Sequence, residues 1–283
     1  MIIVRSIKKL KQEILQIKKQ GKTIGFVPTM GYLHEGHLKL VHEAKLQNDV
    51  VVLSVFVNPL QFGPNEDFNT YPRDLKRDEQ LAKENGVNLL FAPSVEEMYP
   101  HEPSVKVIVK DRVNVLCGSK REGHFDGVAT VLTKLFNLVQ PDRAYFGMKD
   151  AQQVAVVDGL INDFHFPIEL VPVETVREED GLAKSSRNVR LLPDERKEAS
   201  HLYQSLCLAK QLIEDGERNR EAIIHAMESY LKQHVNGEID YIEIYSYPEL
   251  KSLDILKGNI IIALAVRFKQ ARLIDNLTIK VDK

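Results

Sequence analysis

The stretch Phe26-Val-Pro-Thr-Met-Gly-Tyr-Leu-His-Glu-Gly-His-Leu38 decides the fold. A short apolar run leads into it and predicts a buried strand, which Pro28 should end because proline has no N–H to give to a sheet ladder. From Glu35 onward, apolar residues recur at helical spacing. The stretch therefore predicts a strand, a tight glycine-containing loop and a helix whose first turn carries His34 and His37.

The first turn of that helix has the features of a phosphate site. A helix N-terminus offers N–H groups and the positive end of the helix dipole, and both favour an anion. The spacing of His34 and His37 excludes the H-E-x-x-H helix of zinc proteases. Gly31 and Gly36 do not make the G-x-G-x-x-G fingerprint of dinucleotide-binding proteins. A pair of histidines that only caps the helix remains the structural alternative.

Composition and charge are those of an ordinary globular protein. The 283 residues are 43% hydrophobic and 28% charged, which allows a sizeable core in one large domain or two smaller ones. A net charge of −2 argues against a generally basic nucleic-acid-binding protein. Cys117 and Cys207 lack metal-binding spacing, and the sequence shows no signal peptide and no membrane-length apolar run. We therefore expect a soluble, cytoplasmic protein with no nucleic-acid or membrane partner.

The order of the predicted elements indicates the fold class. Residues 49–58 are almost unbroken β-branched and apolar sequence, typical of a strand buried on both faces of a parallel sheet. Strand, helix and strand in this order predict an α/β fold with a Rossmann-like doubly wound parallel sheet. We expect this domain over residues 1–180 and a smaller α+β domain over 181–283, with a short additional strand at 105–109.

Two loops beside the predicted crevice leave alternatives open. Asn58 and Gln61 follow the second strand, and their amides suit a hydroxy acid better than a phosphate, but the prolines and glycine nearby also suit a plain turn. A later glycine-punctuated loop carries Lys120, Arg121 and His124. It predicts either a basic flap over an anionic ligand or an exposed loop.

Two more stretches carry cations at loop positions. In residues 143–153 a short strand ends at Gly147, Lys149 follows at its carboxyl end, and Asp150 stands where a helix would begin. Further on, Lys184 and Arg187 flank two serines in a glycine-containing loop. A cation–hydroxyl–hydroxyl–cation run of this kind resembles the K-M-S-K-S loop that closes over ATP phosphates in the nucleotidyltransferase superfamily.

Taken together, these motifs resemble one family. The H-x-G-H signature resembles that of nucleotidyltransferases and class I aminoacyl-tRNA synthetases. The longer windows PTMGYLHEGH, SVFVNPLQFGPNEDF, GHFDGV, FGMKDAQQ and GLAKSSRN resemble the pantothenate synthetase (pantoate–beta-alanine ligase) family, in the family's order and over nearly all of the first 190 residues. The chain departs from the family at Met148, where an acidic residue is frequent, and at Lys184, where methionine is frequent.

The resemblance implies an ATP-dependent condensation of (R)-pantoate with beta-alanine to pantothenate, a step in coenzyme A biosynthesis. The reaction would pass through a pantoyl adenylate and release AMP and pyrophosphate. Residues 1–180 would then be the ATP- and pantoate-binding domain and 181–283 a lid domain. The resemblance also implies Mg²⁺ carried by ATP, with no protein ligand named for it, and a homodimer.

The resemblance further implies the roles of individual residues. His34, His37 and Lys149 are the expected catalytic residues, with His37 the expected proton donor. Gln61, Gln153, Met30 and Asn58 are expected to bind pantoate or beta-alanine. The expected ATP-binding residues are Met30, Gly31, Tyr32, Leu33, His34, Glu35, Gly36, His37, Gly147, Met148, Lys149, Asp150, Val176, Lys184, Ser185, Ser186 and Arg187.

Two other functions remain as alternatives. A cytidylyltransferase shares H-x-G-H but activates a phosphate-bearing acceptor, for which cations rather than the amides of Asn58 and Gln61 would be expected. A non-catalytic nucleotide-binding protein on the same fold would not need both histidines, Lys149 and the Ser-Ser-Arg run together.

Overall fold

The computed structural model describes residues 1–64, 66 and 68–282; Asn65 and Asp67, in one of the windows quoted above, lie outside the described residues. The helices are α1 (Ile7–Lys19), α2 (Glu35–Gln47), α3 (Leu75–Glu84), α4 (Val95–Met98), α5 (His124–Val139), α6 (Ala151–Asp163), α7 (Pro193–Glu198), α8 (Ser200–Glu214) and α9 (Arg220–His234). The strands are β1 (Ile2–Val4), β2 (Ile24–Thr29), β3 (Val50–Val55), β4 (Leu89–Phe91), β5 (Arg143–Gly147), β6 (Glu169–Val173), β7 (Glu238–Ser246), β8 (Gly258–Arg267) and β9 (Arg272–Val281).

The chain divides into two compact units. The first comprises residues 1–111, 121–147 and 156–174, and the second comprises residues 112–120, 148–155 and 175–283. No helix in the described part of the chain has the length and apolar character needed to span a bilayer.

The first unit is built on a six-stranded parallel sheet in the order β1-β4-β3-β2-β5-β6. Apolar residues of β2, β3 and β4 pack with those of α2 and α3 in one buried cluster. The direction of strand addition reverses between β2 and β5, and in open sheets ligands bind at the carboxyl ends of the strands at such a point. The sheet confirms the predicted Rossmann-like, doubly wound fold.

The end of β2 differs from the prediction. Pro28 does not end the strand, which continues to Thr29 with Pro28 paired opposite Ser54 of β3. The carbonyl of Ile24 accepts from the N–H of Asp142, just before β5. The backbone groups of every second residue, Ile24, Phe26 and Pro28, therefore point toward β5. Pairing between β2 and β5 stops at Phe26, so Pro28 gives up no ladder bond.

The strand predicted at 105–109 is absent, since these residues have no regular structure. The N–H of Val107 donates to Thr130 Oγ1 at 3.1 Å and that of Val109 to Asp126 Oδ1 at 2.9 Å. Side chains of α5 therefore take the backbone donors that a neighbouring strand would have taken. The β-branched residues give this segment a strand-like sequence, but its backbone hydrogen-bonds to helix side chains and not to a neighbouring strand.

The second unit is built on the antiparallel sheet β7-β8-β9. Leu206 of α8 and Met227 of α9 share a fully buried cluster with Ile244 and Ile262 of the sheet. The smaller α+β domain is therefore observed. The predicted boundary at 180/181 differs from the division of the chain, which falls at 174/175 and assigns two earlier segments to the second unit.

Those two segments join the second unit through apolar packing. Cys117, from the first segment, and Ala151 and Ala155, from the second, lie in one buried cluster with Tyr241 and Ala265 of the antiparallel sheet. Such packing joins residues that are far apart in the chain. Local sequence patterns do not reveal contacts of this range.

Candidate active site

His34 and His37 both cap the helix that they open. His34 Nδ1 accepts from the N–H of Gly36 at 3.1 Å, and His37 Nδ1 accepts from the N–H of His34 at 3.3 Å. The two ring centroids are 4.1 Å apart. Because Nδ1 is the acceptor in both rings, each neutral imidazole carries its hydrogen on Nε2. The structural alternative of a capping pair is thus observed, and it engages Nδ1 rather than the Nε2–H donors.

A buried carboxylate on α3 holds the loop that precedes these histidines. Asp78, 1% exposed, accepts from the N–H of Tyr32 at 2.8 Å and of Leu33 at 2.7 Å. Burial raises the pKa of Asp78, and the opposing effect of the two N–H donors does not cancel it. Gly31 has a left-handed φ of +84°, and a Cβ there would lie 2.7 Å from Val55 Cγ1 and 2.9 Å from Asp78 Oδ2. Glycine is therefore required for this approach.

Asn58 is buried just after β3 and makes four side-chain hydrogen bonds. Its Oδ1 accepts from the Tyr99 hydroxyl at 2.9 Å and from the N–H of Leu60 at 3.3 Å, and its Nδ2 donates to the carbonyl of Gly127 at 3.1 Å and to Gln61 Oε1 at 3.3 Å. Burial raises the pKa of Tyr99, which keeps its hydroxyl a donor. Protein partners therefore use both acceptor positions and both donors of the Asn58 amide.

Gln61 presents an amide donor beside the H-x-G-H loop. The residue is 8% exposed, and its Nε2 donates to Met30 Sδ at 3.0 Å. A thioether sulfur is a weak acceptor, so a hydroxyl or carboxylate oxygen would bind this donor more strongly. The contact brings two predicted site residues together.

The loop with Arg121 and His124 is exposed at Ser119, Lys120 and Glu122, as one of the two alternatives expected, but Arg121 itself is held in place. Arg121 makes a bidentate ion pair with Glu66, with both N···O distances 2.6 Å, and the two side chains are 21% and 25% exposed. Burial alone would raise the pKa of Glu66, but the hydrogen bonds and charge of Arg121 outweigh it and lower the pKa. The loop is therefore exposed in part and fixed to the first unit at Arg121.

In the second unit, β9 holds the turn that carries Lys149. Asn276 Nδ2 donates to the carbonyls of Met148 at 3.0 Å and Lys149 at 2.9 Å. The neighbouring Asp275, 3% exposed, binds Arg177 through two hydrogen bonds of 2.6 and 3.0 Å. Two adjacent residues of β9 thus hold the turn that carries Lys149, and they hold Arg177, the first residue of the loop 177–188 that contains Ser185, Ser186 and Arg187.

That loop folds back on itself. The N–H of Lys184 donates to the carbonyl of Val176 at 2.9 Å, and Lys184 Nζ pairs with Glu178 Oε2 at 2.7 Å. Ser185 Oγ accepts from the N–H of Arg187 at 3.2 Å. Lys149 and Ser185 line one small cavity of about 10 Å³, so the structure brings these two predicted phosphate-binding segments together.

The predicted site residues divide between the two units. The first unit holds Met30, Gly31, Tyr32, Leu33, His34, Glu35, Gly36, His37, Asn58, Gln61 and Gly147, and the second holds Met148, Lys149, Asp150, Gln153, Val176, Lys184, Ser185, Ser186 and Arg187. Within the first unit, the N–H groups of Tyr32 and Leu33 are committed to Asp78. Within the second, Gln153 is half-buried in the first turn of α6.

Sequence reasoning missed three supporting residues. Asp78 and Asn276 act on loops far away in the chain, and Gln152 Nε2 donates to the carbonyls of Arg112 and Val115 at 2.9 and 2.8 Å. Each looked like an ordinary polar residue within a helix or strand. A usable signal existed only for Gln152, a polar residue on the apolar face of α6. Among the described residues, no group of three or more His, Cys, Asp or Glu side chains could hold a metal ion.

Comparison with known proteins gives a consistent result. The family model for pantoate-beta-alanine ligase matches residues 2–278. A pantothenate synthetase of Geobacillus sp. (strain WCH70) is 67% identical over 281 residues, covering 99% of this chain and 100% of that protein. A pantothenate synthetase of Bacillus cytotoxicus is 61% identical over 281 residues, with the same coverage of both proteins.

Solved structures agree with the sequence relatives. The crystal structure of the pantothenate synthetase from Thermus thermophilus superposes with a TM-score of 0.93, at 47% identity and over 100% of both chains. The pantoate-beta-alanine ligase from Francisella tularensis, solved with beta-gamma ATP and beta-alanine, superposes with a TM-score of 0.79, at 35% identity and over 98% of this chain and 97% of that one. The chain is therefore an enzyme and belongs to the pantoate–beta-alanine ligase family.

Proposed function

We propose that the enzyme forms pantothenate from (R)-pantoate and beta-alanine with the use of ATP, through a pantoyl adenylate. A pantoate carboxylate oxygen attacks the α-phosphorus of ATP, and pyrophosphate leaves. The amine of beta-alanine then attacks the acyl carbon, and AMP leaves with that carboxylate oxygen while the amine loses a proton. ATP and beta-alanine are the ligands named for the relative from Francisella tularensis, which supports their use here.

The observation that carries this proposal is the contact between Gln61 Nε2 and Met30 Sδ at 3.0 Å. It sets a buried amide donor with a weak partner against the loop that leads to a helix N-terminus suited to phosphate. An acid with hydroxyl groups and a nucleotide phosphate would then bind side by side in the first unit. Neutral amides favour pantoate over the phosphate-bearing acceptor of a cytidylyltransferase.

His34 and His37 would act through their Nε2 atoms. Hydrogens on Nε2 can bind the phosphoryl oxygens on which negative charge grows when the carboxylate attacks. His37 is the proposed proton donor. Most of the catalysis would come from positioning and charge neutralisation, as in other phosphoryl and nucleotidyl transfers.

Asn58 is proposed to act through Gln61 rather than by touching pantoate. Its amide already makes four hydrogen bonds to protein groups, one of them to Gln61 Oε1. A substrate contact would have to break one of these. We therefore assign Gln61 and Gln153 to pantoate and treat Asn58 as the residue that orients Gln61.

The second unit is proposed to supply further contacts to ATP, in addition to those of His34 and His37. Lys149 and the run Lys184–Arg187 supply cations and hydroxyl groups, and Asp150 and Val176 are proposed to contact the ribose and adenine. The donors of the site are imidazoles, amides, Lys and Arg, which suit phosphate oxygens rather than a hard cation. Mg²⁺ would therefore be held by the phosphates and neutralise their charge.

A homodimer in the cytoplasm remains our expectation, and sedimentation equilibrium would measure the assembly.

Product analysis with labelled pantoate tests the proposal. With ¹⁸O in the pantoate carboxylate, we expect pyrophosphate and ¹⁸O-labelled AMP, with AMP released in repeated turnovers only when beta-alanine is present. An enzyme-bound adenylate should accumulate in its absence. Release of ADP and phosphate, or unlabelled AMP, would rule out the adenylate. ATP binding without any product would favour a non-catalytic nucleotide-binding protein.

A further inference from the structure

A chain of hydrogen bonds links the surface of the first unit to the backbone of Gln61. Glu66 binds Arg121 through Nε and Nη2 at 2.6 Å each. The third nitrogen of Arg121, Nη1, lies 3.0 Å from His124 Nε2, and His124 Nδ1 lies 2.7 Å from the carbonyl oxygen of Gln61. Three side chains and one backbone carbonyl are thus connected in series, and we call this series the relay.

The chemistry of these groups fixes the direction of every bond. A guanidinium can only donate, so His124 Nε2 accepts from Arg121. A carbonyl can only accept, so His124 Nδ1 carries the hydrogen and donates it to Gln61. His124 is therefore neutral in this arrangement, with the tautomer opposite to that of the capping histidines. Each member orients the next, from Glu66 to Gln61.

The backbone of Gln61 is also packed tightly against α5. A Cβ on Gly127 would lie 2.2 Å from the carbonyl oxygen of Leu60 and 2.6 Å from the nitrogen of Gln61. Asn58 Nδ2 donates to the Gly127 carbonyl at 3.1 Å on the same side. The start of α5 therefore contacts this turn through both packing and hydrogen bonds. A small shift of α5 would move Gln61.

We propose that Glu66, Arg121 and His124 are positioning residues that fix Gln61 for the acid substrate, and that Arg121 does not itself bind that substrate. All three nitrogens of Arg121 are already engaged by Glu66 and His124. The proposal rests on the substrate role proposed for Gln61. It predicts that loss of the carboxylate of Glu66 weakens pantoate binding, although Arg121 and His124 stand between Glu66 and Gln61 in the relay.

Kinetics of Glu66→Gln and Arg121→Gln separate positioning from direct binding. Loss of one hydrogen bond to a charged group should raise the KM for pantoate about tenfold in each variant, with the KM for ATP nearly unchanged. The double variant should be no worse than either single one, because the relay is already broken. Glu169→Gln, which breaks the ion pair with Arg143 at the start of β5, is the matched control and should behave like the parent.

Opposite outcomes would overturn the proposal. If Arg121 bound the substrate carboxylate directly, Glu66→Gln would release Arg121 and leave the KM for pantoate unchanged or lower. Additive losses in the double variant, or equal losses for pantoate and ATP, would also contradict the relay. His124→Asn keeps a donor at the δ position and should be milder than His124→Ala.

Hydrogen exchange gives a readout that does not depend on the reaction. In the parent, the backbone around Gln61 should exchange more slowly than in Arg121→Gln and Glu66→Gln, whereas α2 should be unchanged. Unaltered exchange in both variants would rule out the relay even if the enzyme proved to catalyse another reaction. Altered exchange with no pantothenate formed by the parent would retain the relay and reject the proposed function.

Discussion

Helix capping and the proposed chemistry use different nitrogens of the same two rings. His34 and His37 accept backbone N–H groups at Nδ1, and capping needs nothing more than this acceptor. An asparagine at 34 and a glutamine at 37 offer an oxygen in its place, because Asn is a good N-cap and Gln suits the third helical position of a capping box. Neither amide reproduces an imidazole Nε2–H. Substitution at these positions can therefore separate the two roles.

We predict that His34→Asn and His37→Gln keep the stability of the parent within about 0.5 kcal/mol, whereas the alanine variants lose about 1 kcal/mol of helix capping. All four should lower adenylate formation, and His37→Ala by at least about a hundredfold. Urea unfolding and pyrophosphate release measure the two effects. Near-normal turnover in the amide variants would leave the histidines with a capping role only.

Substitution of Gln61 tests the proposed contact with pantoate. Gln61→Ala removes the amide donor beside Met30 and should raise the KM for pantoate at least about tenfold, as expected when a hydrogen bond to a charged group is lost. The KM for ATP should change little. Gln80→Ala, on the exposed side of α3, is the matched control. An equal loss of pantoate and ATP binding would mean that the turn is only structural.

At the scale of elements, α3 fixes the loop between β2 and α2. Besides the two N–H groups held by Asp78, Arg77 Nη1 donates to the carbonyl of Leu33 at 2.9 Å. The first turns of α3 thus bind both the donors and the acceptor of the same short segment. The position of His34 depends on a helix that begins about forty residues later.

We predict that Asp78→Asn destabilises the protein by about 1–3 kcal/mol, because an amide offers one acceptor oxygen where the carboxylate offers two and leaves a buried N–H unpaired. Turnover should fall as the loop shifts. Denaturant unfolding and kcat measure these effects, with the adjacent Glu79→Gln as the control. Unchanged stability would show that one of the two hydrogen bonds contributes nothing.

Local sequence signals predicted the helices and strands better than the long-range contacts that hold the loops of the site. The helix that begins at Glu35, the strand within residues 49–58 and the strand that ends at Gly147 were predicted from short-range signals, and the structure agrees with them. The contribution of Asp78 depends on a contact 45 residues away and that of Asn276 on one 127 residues away. Propensity and periodicity act over a few residues, so they cannot identify such partners.

At the scale of the whole molecule, the pH dependence of stability follows from shifted carboxyl groups. The pKa of Glu66 is lowered in the folded protein because Arg121 outweighs the effect of burial. A lowered folded pKa means that the carboxylate stabilises the protein above the unfolded value, about 4.3 for Glu. This contribution is lost as the pH falls through the lower folded value.

We therefore predict that the difference in unfolding free energy between the parent and Glu66→Gln is largest near neutral pH. It should shrink as the pH falls below about 4, because the parent then loses the charge that the variant never had. Thermal unfolding of both proteins at matched ionic strength measures it. A difference that stays constant with pH would show that Glu66 keeps its ordinary pKa.

The division of the chain into units was the part least accessible from sequence. Residues 112–120 and 148–155 belong to the second unit because Cys117 and Ala151 pack on its sheet. A change of composition along the chain marks one boundary at most, and here the second unit draws on three separate segments. Segments that are separate in the sequence can therefore belong to the same unit.

His124 carries its ring hydrogen on Nδ1, whereas His34 and His37 carry theirs on Nε2, so the ¹⁵N signals of their rings should differ. Ring ¹⁵N resonances differ strongly between bare and protonated nitrogens, so His124 should show a protonated Nδ1, and His34 and His37 a protonated Nε2. One long-range ¹H–¹⁵N spectrum would therefore report on the first turn of α2 and on the contact that holds Gln61 at the same time. Addition of ATP and then of pantoate would reveal which rings respond to each ligand, with no residue replaced.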